Sequence, residues 1–270
     1  MSKIHFFLPG FVCQLLISCA HRETTPSVTV KPNDSGLVCS DFTFKPAHNF
    51  LGESWDGFTG KKYPPDVPPG VFADVKRSNP IRVQGSRYMI SAPGRLAIVS
   101  VEQPHKYSTK WSNEVQELEN HRTALNRGDV RQLCTRSGGD EIPWMNASRC
   151  FHGKARIEQF PWGRAVMFLT TYVQDSMKEV PVNNDMLVFT VQGLTADGRY
   201  AVNGRFDIRH PRLPDTMDDW NAPGRRCFDL SEEKQLDAAE AWLDRQPDDS
   251  FLPGLGQYVK LLSALEIKSP

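Results

Sequence analysis

The chain has no excess of either charge: 32 Lys and Arg balance 32 Asp and Glu over 270 residues. Without a basic stripe it lacks the electrostatic footprint of a nucleic-acid binder, and it carries no acidic tail. Beyond its N-terminus it has no long apolar run, and a mean hydropathy of −0.45 excludes a multi-span membrane protein. It has no Cys-x-x-Cys and no two His three to five residues apart, so no zinc site or other metal centre is expected. There is no Gly-x-Ser-x-Gly elbow. Gly254-Leu255-Gly256 has no third glycine at the dinucleotide spacing and follows no predicted strand, so no cofactor is expected either. Twenty Pro and 19 Gly are more than a helical bundle tolerates, yet they follow no period, which excludes collagen and low-complexity chains.

What is present begins at the N-terminus. Lys3 precedes an apolar stretch, Ile4 to Ser18, with no charged group apart from a protonated His5. The pattern is that of an export signal over residues 1–18, too short to span a bilayer. Leu16-Ile17-Ser18-Cys19 resembles the lipobox of bacterial lipoproteins. That resemblance implies cleavage before Cys19 and acylation of its thiol and new amino group; the alternative is an ordinary cleaved signal with an incidental Cys. Cys13 leaves with the signal. Residues 19–36, polar and without apolar periodicity, read as a flexible tether. Removal of 1–18 leaves 31 basic against 32 acidic side chains, with no polybasic patch. Attachment then rests on acyl chains, at about 0.8 kcal/mol per buried methylene. The expected location is the extracytoplasmic side of a bacterial envelope membrane.

Residues 37–270 read as one α+β domain. From Cys39 to Pro80, short apolar runs are broken by Pro64-Pro65 and Pro68-Pro69, which suits one or two edge strands. Segments 82–91 and 95–101 suggest a strand pair around Pro93-Gly94. Asn113 with Gln116 offers an N-cap for a helix over 113–126 that stops at Gly128. Residues 153–160 and 164–173 suit a hairpin across Pro161-Trp162-Gly163. Leu187, Phe189 and Val191 alternate, as do Tyr200, Val202, Gly204, Phe206 and Ile208, on either side of an Asp197-Gly198 turn. The expectation is an antiparallel sheet with a four-stranded meander, covered on one face by helices. Two of these are C-terminal: one capped by Ser231 with Leu236, Ala239, Trp242 and Leu243 on one face, the other carrying Leu255, Val259, Leu262 and Leu265.

Four cysteines remain after Cys19, an even number that favours two disulfides in an exported chain. Gly138-Gly139 and Pro143 let the chain double back, which points to Cys134–Cys150, worth roughly 3 kcal/mol in loop entropy. Cys39–Cys227 follows by elimination. His105, His121, His152 and His210 have surface or turn readings. Ser231-Glu232-Glu233-Lys234 has the Ser-x-x-Lys spacing of penicillin-interacting enzymes without their other motifs, so Ser231 reads as a cap. Asp215, Asp218 and Asp219 read as a solvated loop; Trp55, Trp162 and Trp220 suit either packing or a ligand groove.

Residues 142–214 carry a series of short motifs: Pro143-Trp144-Met145-Asn146-Ala147, Trp162-Gly163, Thr170-Thr171-Tyr172-Val173-Gln174, Pro181-Val182-Asn183-Asn184, Gln192 to Tyr200, and His210 to Pro214. In this order they resemble a group of uncharacterised exported bacterial proteins, many of them lipoproteins. The resemblance implies an exported β-rich domain and no particular activity. With no nucleophile, metal or cofactor constellation, the expected role is non-enzymatic: a tethered domain that binds an envelope protein or polymer, or an envelope structural component. The alternative is a hydrolase of envelope or extracellular polymers whose carboxylates converge only on folding.

Overall fold

A computed structural model of the chain describes residues 26–45, 70–78, 81–82, 89–90, 94–101, 111–134, 148–173, 182–216 and 232–269. The N-terminal half supplies seven strands: β1 (Ser27–Val30), β2 (Leu37–Cys39), β3 (Thr43–Lys45), β4 (Gly70–Arg77), β5 (Ile81–Arg82), β6 (Met89–Ile90) and β7 (Gly94–Ser100). Helices α1 (Trp111–Arg127) and α2 (Val130–Leu133) follow. Then come β8 (Ser148–Arg149), β9 (Gly153–Phe160), β10 (Gly163–Val173), β11 (Leu187–Thr195) and β12 (Tyr200–Asp207). The chain ends with α3 (Glu232–Arg245), a short 3-10 turn at Asp248–Ser250, α4 (Leu255–Ser263) and β13 (Leu265–Lys268).

The protein is mixed and strand-rich, with antiparallel sheets, as the alternation implied. Its nine-stranded sheet runs β4–β7–β12–β11–β10 through the centre. Strands β2 and β3 share the outer edge of β4, and β9 and β8 share that of β10. Period-two patterning decides which side chains go where. Met167, Leu169, Phe189, Val191, Val202 and Phe206 point to one side and join a buried cluster with Ala239 and Leu243 of α3 and with Leu255, Tyr258 and Leu262 of α4. On the other side, Val166, Phe168, Leu194 and Ala201 share a cluster with Leu118 and Leu125 of α1 and Leu133 of α2. Helices therefore contribute to both faces, not to one as expected, because α1 carries its own apolar stripe at helical spacing.

Several local expectations are corrected. Strand β7 is flanked by β4 and β12, so both its edges are taken and it does not pair with the preceding segment; β5 and β6 pair with each other. Strand β4 is interior, since its sequence Gly70–Arg77 holds no Pro. Helix α1 starts at Trp111, which places Asn113 inside the helix rather than at its cap. It stops as expected at Gly128, φ +73°, a backbone state glycine reaches without strain. Ser231 lies outside the described residues. Leu265, assigned to the last helix, opens β13. Among the described residues, no helix is long and apolar enough to cross a membrane.

The tether is shorter than residues 19–36. From Ser27 the chain is a strand, in register with β13 from Ser27 opposite Lys268 to Val30 opposite Leu265. Lys31 reinforces the pair through Glu266 at 2.6 Å, and Lys260 reaches Asp34 at 2.8 Å. Exposed ion pairs of this kind contribute well under about 1 kcal/mol each. The backbone ladder and the burial of Val28, Val30 and Leu265 against the main cluster hold the segment.

Phe206 is the keystone of the apolar side. Its ring lies over Gly204, where a Cβ would come within 2.5 Å of it, and over Gly94 of β7 at the same separation. It packs on Tyr258 of α4 with centroids 4.7 Å apart. Sheet and C-terminal helix thus share one ring. Phe206→Ala is expected to lower unfolding free energy by about 3–5 kcal/mol through lost burial and cavity formation, read as the midpoint shift in a urea titration. A change below about 1 kcal/mol would show that the ring bears little of the packing.

Candidate functional site on the polar face of the sheet

Alternation with one apolar face ordinarily leaves the other to water. The second face does carry polar residues in its middle: Thr170 and Tyr172 on β10, Thr190 and Gln192 on β11, Asn203 and Arg205 on β12. Yet Thr190 is 1% exposed, Gln192 5% and Asn203 8%. A polar patch taken out of water must find partners or remain costly. Cross-strand register places Gln192 directly opposite Asn203, and Thr190 opposite Arg205. Tyr172 and Thr190 share a hydroxyl–hydroxyl hydrogen bond of 3.0 Å. The Arg205 guanidinium stands 5.1 Å over the Tyr172 ring. Gln192 differs from its neighbours: its Oε1 is fully buried and accepts no hydrogen bond among the described residues.

The same face continues toward β8 and β9. Arg149, buried, lies 5.6 Å over the Phe168 ring, and His152 meets that ring edge-on at 4.9 Å. The His152 backbone N–H donates to Glu240 Oε2 of α3 at 3.2 Å. His121 is also buried, within the α1 stripe formed with Leu118 and Leu125. Burial of His121, His152 and His210 corrects their surface or turn reading; His105 lies outside the described residues. Among the described residues no group of His, Cys, Asp and Glu is arranged to hold a metal ion.

At the turn end of this face a cleft of about 280 Å³ opens between the end of α1 and the Asp197-Gly198 turn. Its two guanidinium groups act chiefly as ties. Arg164 Nη1 donates to the Leu125 and Asn126 carbonyls at the end of α1, and its Nε donates to Gln159. Arg122 bridges Glu119 and the Gly198 carbonyl. Donors committed to helix-end carbonyls, where the backbone dipole is negative, make a poor anion receptor.

His210 offers the one serine–histidine contact, and its geometry argues against nucleophilic chemistry. The Arg212 backbone N–H donates to His210 Nδ1 at 3.2 Å, so the ring proton sits on Nε2, 3.1 Å from Ser250 Oγ. Ser250 Oγ in turn donates to the Pro247 carbonyl at 2.6 Å. The histidine therefore gives a proton to the serine rather than taking one, and the serine hydroxyl is spent on the backbone. The group is a clamp: Asn184 accepts from the His210 N–H and donates to its carbonyl, and Trp242 and Phe251 meet the ring edge-on. The nearby carboxylates are occupied as well. Asp185 and Asp215 both face Arg209, at 2.8 and 3.5 Å, so Asp215 belongs to a network rather than to a solvated loop. Burial raises the Asp207 carboxyl above its usual range; Arg209 opposes the shift and Asp185 adds to it.

The sequence-derived cysteine pairing is not what the fold holds. Cys134 ends α2 beside the α1 cluster, whereas Cys150 is buried in the cluster on the opposite side of the sheet, and no disulfide joins them. Cys39 is likewise a thiol; Cys227 and the lipidation candidate Cys19 lie outside the described residues. Burial pushes the thiols of Cys39 and Cys134 up to about 12; for Cys134, Arg149 opposes the shift and Glu240 adds to it. Trp162 stacks on Phe160 and donates from Nε1 to the Leu262 carbonyl at 2.8 Å, which makes it a packing residue. Trp55, Trp220, Asp218 and Asp219 lie outside the described residues.

Sequence reasoning passed over Gln192, Asn203 and Arg205. A detectable signal existed: carboxamides, poor strand formers, at outward positions of two adjacent central strands. Compared with known protein families, with curated proteins and with solved structures, the chain matches none.

Two measurements check these assignments. Thiolates are scarce when a thiol titrates near 12, so maleimide at pH 7.5 should label Cys39 and Cys134 at least tenfold more slowly in the native protein than in urea, and peptide maps should contain no Cys134–Cys150 link. Burial, with Arg212 adding to it, lowers His210 from 6.5 to about 4. The unfolded chain then binds the extra proton between those values, so stability is full above about pH 6.5 and falls as pH drops toward 4, by roughly 1–3 kcal/mol. His210→Gln should flatten that part of the urea-midpoint profile; an unchanged slope would assign it elsewhere.

Proposed function

We propose that this chain is an extracytoplasmic lipoprotein, held to a bacterial envelope membrane through acylated Cys19, whose folded domain binds an envelope component without transforming it. The carrying observation is the buried polar face around Gln192, Asn203 and Arg205, a receptor-like surface. The Ser250–His210 pair is oriented the wrong way for nucleophilic attack, and Asp185 and Asp215 are tied to Arg209. The finer fold reading belongs to the same proposal: β9 to β12 act as a four-stranded meander, braced by α3 and α4, that presents this face. So does kinship with the exported bacterial proteins that share its 142–214 motifs.

The leash is short. Eight residues separate Cys19 from Ser27, where β1 begins, and eight extended residues reach at most about 29 Å. A domain so placed meets partners in, or directly above, the membrane. Cys19→Ser should release the protein from the membrane fraction or block its maturation, while the wild type sediments with membranes. Normal processing and continued membrane attachment of Cys19→Ser would reject the anchor. Crosslinking and pull-down of the tethered protein from its own envelope tests the binding role.

A further inference from the structure

We propose that the polar face between Gln192 and Arg205 binds a hydroxyl-rich ligand of the saccharide class, which rests on the binding reading above and names its ligand. Gln192 is 95% buried by its 5% exposure, and its Oε1 is enclosed without a donor among the described residues. A carboxamide is a flat fork with an acceptor on one side and donors on the other. Vicinal hydroxyls match it: one donates to Oε1 while its neighbour accepts from Nε2. Asn203, directly across the ladder, presents a second fork of the same kind. The Tyr172–Thr190 hydroxyl pair lies one step along the strands and serves as donor or acceptor.

The arginines extend the match. Arg205 stands directly opposite Arg95 in the β12–β7 register, so two guanidinium groups share one face. Like charges directly opposite repel, and a ligand rich in oxygen acceptors, neutral or carboxylated, relieves that repulsion. Asp74 contacts Arg95 at 3.5 Å, and Asp207 lies on the same face, so the surroundings are balanced rather than strongly cationic. This favours hydroxyls, with or without a carboxylate, over polyanions. An extended peptide is a poorer match. It is held chiefly by main-chain hydrogen bonds at a strand edge, and β7, β12, β11 and β10 have both edges paired.

The test is saturation-transfer NMR on the detergent-solubilised full chain, with glucose, N-acetylglucosamine, glucuronate and trialanine as probes. At least one saccharide should receive saturation, trialanine should not, and Gln192→Leu should weaken the saccharide signal at least tenfold while its melting transition stays cooperative. Gln192→Glu, which keeps the acceptor oxygens, should bind measurably. Arg205→Gln separates the sources: it should weaken glucuronate more than glucose if a carboxylate is bound, and both alike if hydroxyls alone are. No saccharide signal with the wild type, equal signals with Gln192→Leu, or a signal from trialanine alone would overturn the proposal. A more stable Gln192→Leu protein with no saccharide bound by the wild type would assign Oε1 to a trapped water and overturn it too. If saccharides fail while envelope crosslinking still captures a protein partner, the binding role stands and only its ligand class falls.

Discussion

Strand alternation through β4, β7, β12, β11 and β10 is the constraint on which the rest depends. Each residue of these central strands is bound to a face by its parity, and a one-residue slip would exchange the faces completely. On one side parity delivers Phe189, Val191, Val202 and Phe206 to the core shared with α3 and α4. On the other it delivers Thr190, Gln192, Asn203 and Arg205, together with the apolar patch that α1 covers. Phe206 makes the register expensive to change. Only glycines at 94 and 204 leave room for its ring, so a shifted strand would drive a side chain into it.

The polar inventory separates into groups with a structural task and groups without one. His210, Asn184 and Ser250 clamp the segment after β12 to the turn before α4, with every lone pair and proton directed. Arg164 and Arg122 bind the end of α1 to two turns, and Arg209 gathers Asp185 and Asp215. Gln192 has no such duty. A buried acceptor left unpaired costs about 1–3 kcal/mol, a cost more easily understood where a ligand or water supplies the donor.

The termini of the described domain meet in one place. Strand β1 pairs with β13, the last strand, so the segment nearest the Cys19 anchor is tied to the C-terminal end through the cluster under α4. A short leash attached at such a point restricts how the domain can stand relative to a membrane. A long flexible tether would leave it free to tumble.

Local chemistry alone determined a good part of this protein. The lipobox-like Leu16-Ile17-Ser18-Cys19, the stop of α1 at Gly128, the alternation of β11 and β12, and the apolar stripe of α3 are each set by a few neighbouring residues. Period and turn chemistry suffice to read them. Tertiary structure decided what depends on distant partners. Strand β1 looks like linker because its mate lies at the other end of the chain, more than 230 residues away. Cys134 and Cys150 are close in sequence, yet the sheet stands between their clusters, which no loop length reveals. Whether Gln192, Asn203 and Arg205 face water or lie beneath a layer is likewise decided by how α1 and the sheet come together. Alternation assigns a side chain to a face; only packing determines what covers that face.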